Sequence, residues 1–328
     1  MKIDFVLTWV DDKNVNWKTK KASYENHYID VDMNGEERYR SSLRLLELWI
    51  AGAKKYASWV NKIFIIIDRD FREMCAHLES DKVTIVCHDE FMPLWCLPTF
   101  NSNVIELNIQ NIANLSECFV LFNDDCFIVN KVSENDFFDD NQMPVDVDDV
   151  SPINMRDQYG HILLNNIILI NSTLSYVDYR KKLYRTYMKK FFWKRNILRQ
   201  IAYAKMQNEF VGWRDDHVPI SYRKSIFKIV YQTYSTEFNK TFQNKFRSKS
   251  DISHLLVRYW QLGTHHYTKR VEDMFGKFIP INKIKEIDIY IEEYKILCIN
   301  DVRMDPAQSD FLQDELVKIL ERKYEEQN

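Results

Sequence analysis

Four short apolar segments, rich in β-branched residues, lie in the first 130 residues, and a polar side chain ends or follows each of them. They are IDFVLTWV at 3–10, KIFIIID at 62–68, VTIVCH at 83–88 and CFVLF at 118–122. Apolar runs of this length predict strands that are buried on both faces. Apolar residues at helical spacing separate them at 40–55 and 103–115. This order predicts an α/β fold with a mostly parallel sheet and flanking helices.

Acidic and imidazole side chains stand where these strands end: Asp11, Asp68, His88 and the adjacent pair Asp124 and Asp125. Ligands of parallel α/β sheets bind beyond the carboxyl ends of the strands, so these residues are candidates for a binding site. The adjacent pair lies within LFNDDCF and allows two explanations. Asn and Asp favour turns on their own account, whereas paired carboxylates at a strand end also bind a divalent cation.

The charge and the cysteines exclude several classes of protein. A formal net charge of −3 gives no global attraction to nucleic acid, so we predict no nucleic-acid partner. No uncharged stretch approaches the ~20 residues of a membrane-spanning helix. The apolar run in the N-terminal MKIDFVLTWVDDKN is too short for a signal peptide. None of the 6 cysteines forms a CxxC pair, so we expect free thiols and a cytoplasmic protein.

The second half of the sequence has a less regular pattern. We predict a strand or hairpin at 161–171 (HILLNNIILIN), an amphipathic closing helix at 310–323, and further helices between them. Residues 179–205 are basic and aromatic, which suits a polyanionic chain or a membrane surface. A solvated helix face has the same composition. Gly and Pro number only 6 and 7, so no long linker divides the chain.

Three further features of the second half allow both a chemical and a structural explanation. The acids at 146–149 (DVDD) have no predicted strand before them, so we predict a solvated loop. His217, in WRDDHVPI, is a candidate general base because its ordinary pKa lies near neutrality, but a lone histidine is also a common structural residue. Arg247, in NKFRSKS, could bind a phosphate through two donors.

Several blocks of sequence occur together in a fixed order along almost the whole chain. They are IDFVLTWVDD at 3–12, KKYASWVNKIFIIID at 54–68, LPTFNSNVIE at 97–106, FNDDCF at 122–127, DDHVPI at 215–220 and CINDVRMD at 298–305. In this order they resemble the Stealth family, the sugar-1-phosphate transferases of bacterial capsule synthesis. That family is related to the animal enzyme that makes the mannose-6-phosphate lysosomal tag. LPTFNSNVIE followed by NDD is the most specific part of the resemblance.

The resemblance implies functions for individual positions. The essential glutamate of the family falls on Glu106 and its metal-binding acid on Asp125. Its catalytic histidine falls on His217 and its phosphate-binding arginine on Arg247. The remaining implied positions bind substrate: Thr8, Trp9, Asp11, Asn101, Asn123, Asp124, Asn300 and Asp301.

Two positions depart from the family pattern. Asp12 stands where a glycine is usual in the first block, beside the expected nucleotide loop. Ala51 stands where the family often has an arginine. The candidates to replace that positive charge are Arg38, Arg40 and Arg44.

The resemblance also implies a fold and an activity. We expect a Rossmann-like or GT-A-like domain over 1–328, with a nucleotide-binding half at 1–150 and a more helical acceptor and catalytic half at 151–328. The expected reaction transfers hexose-1-phosphate from a nucleotide sugar, with UDP as the expected nucleotide, to a glycan hydroxyl with Mg²⁺ or Mn²⁺ at Asp125. The alternatives are a metal-dependent glycosyltransferase that releases UDP and a non-enzymatic subunit that binds polysaccharide or membrane. The expected location is the cytoplasm, with peripheral contact to the inner face of the membrane as an option.

Overall fold

The computed structural model describes residues 1–25, 30, 32–154, 158–188, 208–271 and 274–325. Ten strands lie in this part of the chain. They are β1 (Ile3–Thr8), β2 (Ile63–Ile67), β3 (Val83–Cys87), β4 (Cys118–Phe122), β5 (Cys126–Ile128), β6 (Val145–Asp146), β7 (Ile220–Arg223), β8 (Thr268–Lys269), β9 (Gly276–Pro280) and β10 (Ile296–Asn300).

Twelve α-helices lie in the same described residues. They are α1 (Val15–Tyr24), α2 (Leu43–Tyr56), α3 (Arg72–Cys75), α4 (His88–Phe91), α5 (Ser102–Asn108), α6 (Tyr159–Thr173), α7 (Tyr176–Met188), α8 (Lys224–Thr233), α9 (Ser235–Phe242), α10 (Leu255–Gly263), α11 (Ile287–Tyr290) and α12 (Pro306–Glu325). Short 3₁₀ turns occupy Glu36–Tyr39, Arg69–Phe71, Ala76–Leu78, Leu94–Cys96, Ile109–Asn111, Glu134–Asp136 and Ile281–Glu286.

The main sheet has five strands in the order β3-β2-β1-β4-β7. Strands β1 to β4 are all parallel, and β7 joins the edge of β4 in the antiparallel direction. The predicted α/β fold with a mostly parallel sheet is therefore confirmed. Because the first four strands are parallel, the polar residues that follow them lie along one edge of the sheet.

Both faces of this sheet are buried, as the uninterrupted apolar strands predict. In β1, Phe5 and Leu7 face one core and Val6 faces the other, because successive strand side chains point to opposite faces. Helices α2 and α12 cover the first face with side chains such as Trp49. Helices α5 and α8 cover the second face with side chains such as Leu107.

A second sheet joins a strand from the middle of the chain to two strands near its C-terminal end. Its order is β5-β10-β9, with β10 antiparallel to β5 and parallel to β9. The closing helix is confirmed as α12, where the hydroxyl of Tyr324 donates to the carbonyl of Ile128 at 3.1 Å. The halves on either side of residue 150 therefore share a hydrophobic core.

The strand or hairpin predicted at 161–171 is wrong, because these residues belong to helix α6. Ile162, Ile167 and Ile170 are buried while Ile168 is exposed, which is the periodicity of a helix. A run of Ile and Leu cannot by itself separate a buried strand from a buried helix. Of the basic aromatic segment 179–205, residues 189–205 lie outside the described part of the chain.

The solvated loop predicted at 146–149 is also wrong. Asp146 belongs to β6 and accepts two hydrogen bonds from the guanidinium of Arg258, at 2.8 and 2.9 Å. Asp148 is 1% exposed and pairs with Lys269. The cations that compensate these acids lie more than 100 residues away in sequence, so local composition could not reveal them.

Candidate active site

A cavity of about 580 Å³ lies at the carboxyl edge of the main sheet. The ends of β1, β2 and β4 form its floor, and residues from α5, the 215–218 loop and the end of β10 form its walls. Ten of the twelve site residues predicted from sequence line this one cavity: Thr8, Trp9, Glu106, Asn123, Asp124, Asp125, His217, Arg247, Asn300 and Asp301.

The NDD segment is the turn that carries the chain from the main sheet into the second sheet. It follows β4 directly, and the amide of Cys126 donates to the carbonyl of Asn123 at 3.1 Å. Asp124 and Asp125 form the middle of this turn and both line the cavity. The turn explanation is therefore correct, and it leaves the carboxylates in the place that the cation explanation requires.

The carboxylates at this turn lie close to other acidic and amide groups. The amide of Asn300, at the end of β10, donates to Asp125 Oδ2 at 3.1 Å. Burial raises the pKa of Asp124 to about 8, and the negative charges of Asp125 and Asp301 add to the rise. No Lys or Arg in the described part of the chain lies within ion-pair distance of Asp124 or Asp125. A bound cation would stabilise the ionised form of these carboxyl groups.

The types of donor around this turn suit a hard divalent cation. Asp124, Asp125 and Asp301 line the cavity with carboxylate groups and Asn300 with an amide group, and oxygen donors of these types are the ligands that Mg²⁺ and Mn²⁺ prefer. The thiols of Cys126 and Cys298 lie within 4.8 Å of the Asp125 carboxylate. Burial contributes to raising the pKa of both thiols, so they suit a hard cation less well than the oxygen donors do.

Glu106 lies on α5, whose first residue is Ser102. The two residues are four positions apart, so their side chains occupy one face of the helix. Glu106 is 6% exposed and lines the cavity. Burial raises its pKa to about 7, although the charge of Arg247 and a hydrogen bond from Ser102 oppose the rise.

Arg247 is held at both its backbone and its side chain. Its amide donates to Asn34 Oδ1 at 2.9 Å, and its carbonyl accepts from Asn34 Nδ2 at 3.0 Å. Its guanidinium donates to Ser102 Oγ at 2.6 Å. Ser102 thus connects Arg247 to Glu106, and the remaining guanidinium donors can bind an anion in the cavity.

His217 occupies a backbone conformation that is uncommon for a residue other than glycine. Its φ is +51°, in the left-handed region. The amide of His217 donates to Asp215 Oδ1 at 3.0 Å, and its carbonyl accepts from Cys126 Sγ at 3.6 Å. The imidazole is exposed to the cavity and lies 5.0 Å from the Phe278 ring, centroid to centroid. These contacts fix the backbone of His217 and leave its imidazole facing the cavity.

Two of the predicted substrate-binding residues do not line the cavity. Asp11 is 8% exposed, and its Oδ1 accepts from the amide of Lys13 at 2.8 Å. Asn101 is fully buried, begins α5 as its N-cap, and donates to Asp251 at 2.8 Å. Asn101 also donates to the carbonyl of Phe246 at 3.2 Å, so it supports the loop that carries Arg247.

Two of the three candidates for the missing arginine add positive charge to the site. Arg38 and Arg40 line the cavity, as does Arg303, which was not among the candidates. Arg44 does not, because it bonds to Glu321 on the outside of the molecule at 2.6 Å. Ala51 lies on the exposed side of α2, so its departure from the family pattern leaves the cavity lining unchanged.

Sequence reasoning missed several other polar residues of the cavity. Ser102 could have been found from its spacing to Glu106 on one helix. Tyr159 was hidden by the wrong strand prediction, since it begins α6. His254 lines the cavity next to Glu106, and no local pattern marks it. Asp68 and His88, by contrast, are binding-site candidates from their position at strand ends, and both line the cavity.

The mostly parallel sheet, with acids and cations around a cavity at its carboxyl edge, defines a ligand-binding protein of the α/β class. Comparison with known proteins gives the family. Models of the Stealth protein conserved regions 2 and 3 match residues 38–146 and 216–260. The first range contains Glu106 and the NDD turn, and the second contains His217 and Arg247.

The chain is similar over its whole length to the capsular polysaccharide phosphotransferase WcwK of Streptococcus pneumoniae, with 38% identity over 100% of this chain and 97% of that protein. It is 34% identical to the exopolysaccharide phosphotransferase cps2G of Lactiplantibacillus plantarum, over 96% of this chain and 91% of that protein. The chain belongs to the Stealth family, and it is an enzyme of the phosphotransferase class.

Among solved structures, the apo form of mouse xyloside xylosyltransferase 1 is similar at 10% identity with a TM-score of 0.37, over 92% of this chain and 98% of that one. Within the described residues, no helix combines the length and the apolar character needed to cross a membrane.

Proposed function

We propose that this enzyme transfers hexose-1-phosphate from a nucleotide sugar, with UDP as the expected nucleotide, to a hydroxyl of a glycan. The observation that supports this most directly is one cavity that holds Asp124 and Asp125 without cation partners among the described residues, together with Arg247 and His217. A divalent cation with a diphosphate would neutralise the acids, and the arginine would bind the phosphoryl group that is transferred.

The expected cofactor is Mg²⁺ or Mn²⁺, held by Asp125 with Asn300 and Asp301 beside it. When bound, such an ion draws negative charge away from a diphosphate and makes its bridging oxygen a better leaving group. The donor would extend from this turn along the edge of the sheet towards Thr8 and Trp9, which line the same cavity. Arg38 and Arg40 would add positive charge on that side.

The reaction requires a base beside the acceptor hydroxyl, and we assign this function to His217. The hydroxyl oxygen forms a bond to the β-phosphorus of the donor, and its proton passes to the imidazole. The bond from that phosphorus to the bridging oxygen breaks, and the nucleoside monophosphate leaves with the electron pair. Arg247 stabilises the charge on the phosphoryl oxygens during this step. The product is a glycan with a sugar attached through a phosphodiester.

The acceptor would be a repeat of a capsular or exopolysaccharide, because the relatives named above carry these substrates in their names. Such glycans are assembled from nucleotide sugars in the cytoplasm, so we expect the enzyme there, in peripheral contact with the membrane if its acceptor is lipid-linked. This placement would bring the basic segment near an anionic surface.

The experiment is a nucleotide-release assay with UDP- and GDP-sugars, Mg²⁺ and capsule oligosaccharides as acceptors. We expect UMP or GMP only when acceptor is present, and none with Asp125→Ala or His217→Ala. Release of UDP or GDP would instead identify a glycosyltransferase that breaks the sugar C–O bond, and it would overturn the proposed bond cleavage.

A further inference from the structure

Three side chains, Tyr222, His254 and Glu106, form a buried row that ends at the cavity. Tyr222, on β7, is fully buried, and its hydroxyl lies 2.7 Å from His254 Nδ1. The other imidazole nitrogen, His254 Nε2, lies 3.6 Å from Glu106 Oε2. The side chains of His254 and Glu106 are 12% and 8% exposed, so water has little access to this contact.

His254 is neutral at physiological pH. Burial lowers its pKa to about 4, with Arg258 and Arg247 acting in the same direction and Asp215 opposing them. A neutral imidazole carries one N–H donor and one lone pair, so the two nitrogens must perform opposite functions. Whether Nε2 faces Glu106 as a donor or as an acceptor depends on the position of the Tyr222 hydroxyl hydrogen.

Two hydrogen-bond arrangements are compatible with these positions. In the first, the Tyr222 hydroxyl donates to Nδ1, and Nε2–H points at an ionised Glu106. In the second, the hydroxyl donates to the carbonyl of His254, 3.2 Å away, and accepts from Nδ1–H. The lone pair of Nε2 then faces a protonated Glu106. The second arrangement holds one proton more than the first, and that proton lies on the carboxyl group.

We propose that His254 is a positioning residue that, with Tyr222, accommodates Glu106 in both protonation states, because Nε2 can donate to the ionised carboxylate or accept the proton of the neutral carboxyl group. This inference rests on the proposed phosphoryl transfer. An ionised Glu106 would repel the phosphate oxygens that Arg247 binds, whereas a protonated one, whose proton faces Nε2, carries no charge and does not repel them. The row therefore links the proton on Glu106 to the binding of an anion.

Other groups near Glu106 also influence its pKa. Arg247 and Ser102 favour the ionised form. Tyr159, on α6, lies close enough for the Glu106 charge to raise the tyrosine pKa, which burial raises to about 12. Tyr159 is thus a neutral neighbour at physiological pH. His254 is the neighbour whose donor and acceptor can exchange places as Glu106 titrates.

The most direct test observes the imidazole itself and needs no substrate. We would label histidine with ¹⁵N, assign the His254 signals with His254→Gln, and follow both ring nitrogens as pH changes. We expect a change from the Nδ1–H to the Nε2–H tautomer as pH rises, with a midpoint near the Glu106 pKa of about 7. Glu106→Gln should abolish the change. One fixed tautomer from pH 5 to 9, a range of about two units on either side of neutrality, would overturn the inference.

A second test uses activity and a matched control. Tyr222→Phe removes the partner of Nδ1, and a buried N–H without an acceptor is less tolerable than an unused lone pair. The variant should therefore favour Nε2–H and an ionised Glu106. We expect the high-pH limb of kcat to move by about one pH unit towards acid, with the donor KM changed by less than about twofold.

Tyr234→Phe is the control, because this buried hydroxyl donates to the carbonyl of Leu169 at 3.0 Å, outside the row. Equal pH profiles for the two variants would show that Tyr222 and His254 are only structural. Release of a nucleoside diphosphate would contradict the proposed function, while the tautomer measurement would still decide whether the row exists.

Discussion

Two acidic segments of this chain have nearly the same composition and opposite surroundings. At 146–149, every carboxylate has a positive partner: Arg258 for Asp146, and Lys269 for both Asp148 and Asp149. These acids hold β6 and β8 against α10. They stabilise the fold, and their charge is already compensated.

At the NDD turn, Asp124 and Asp125 have no cation partner within 4.0 Å among the described residues. Burial raises the pKa of Asp124 to about 8, with Asp125 adding to the rise. Charge that the fold leaves uncompensated inside a cavity indicates a site for a ligand. The difference between the two segments is therefore the presence of a partner cation, which composition does not reveal.

The largest effect should follow from Asp125→Asn. This change removes the charge that would hold the cation, so we expect the rate of nucleotide release to fall by about 10⁴-fold, equivalent to several kcal/mol. The melting temperature of the metal-free protein should be at least that of the wild type, because a repulsive charge is lost. A variant that melts much lower would place Asp125 with the structural acids instead.

In contrast to Asp125→Asn, the Asp146→Asn change should destabilise the fold. It leaves the guanidinium of Arg258, which is 2% exposed, without its carboxylate. We expect the free energy of unfolding to fall by about 4 kcal/mol, measured by urea denaturation. The control is Asp314→Asn on the exposed side of α12. This variant should change the free energy of unfolding by less than about 0.5 kcal/mol. Equal effects of the two variants would contradict a structural function for the 146–149 acids.

The pH dependence of stability should distinguish Glu106 from the paired acids. The folded pKa of about 7 lies above the ordinary value of 4.5. Its contribution to stability is therefore present below pH 4.5 and is lost as pH rises through about 7, by about 3 kcal/mol in total. Denaturation of metal-free protein at several pH values should show this decline, and Glu106→Gln should remove it. An unchanged slope in the variant would mean that other groups cause the decline.

Metal binding gives the smallest of these effects and the most direct comparison. At a Mn²⁺ concentration 100 times its Kd, the wild type should gain about 2.7 kcal/mol of stability. Asp146→Asn should gain the same amount from its lower starting point, whereas Asp125→Asn should gain almost none. Calorimetric titration with Mn²⁺ checks the affinity. Equal stabilisation of all three proteins would place the ion somewhere other than the NDD turn.

Much of the fold could be predicted because its signals are local. The strands at 3–10, 62–68, 83–88 and 118–122 are buried on both faces, so each appears in the sequence as one apolar run. Helix α6 is also apolar on most sides, which is why the same reasoning assigned it to a strand. The period of the apolar residues separates a helix from a strand only when the segment also has a polar face.

The candidate site was predictable where strand ends and family blocks coincide, as at Asp125 and Glu106. It was not predictable where side chains come together only after folding. His254 reaches Glu106 from a position 148 residues away, and Asn34 holds Arg247 from 213 residues away. The same limitation explains the acids at 146–149, whose cations come from α10 and β8.

The measurement that tests the central claim most directly follows the β-phosphorus of the donor. A nucleotide sugar labelled with ³²P at the β-position would be incubated with enzyme, Mg²⁺ and a capsule oligosaccharide, and the products separated. We predict that the label enters the glycan and that unlabelled nucleoside monophosphate is released. Label that remains in a nucleoside diphosphate, with sugar alone on the glycan, would contradict the account.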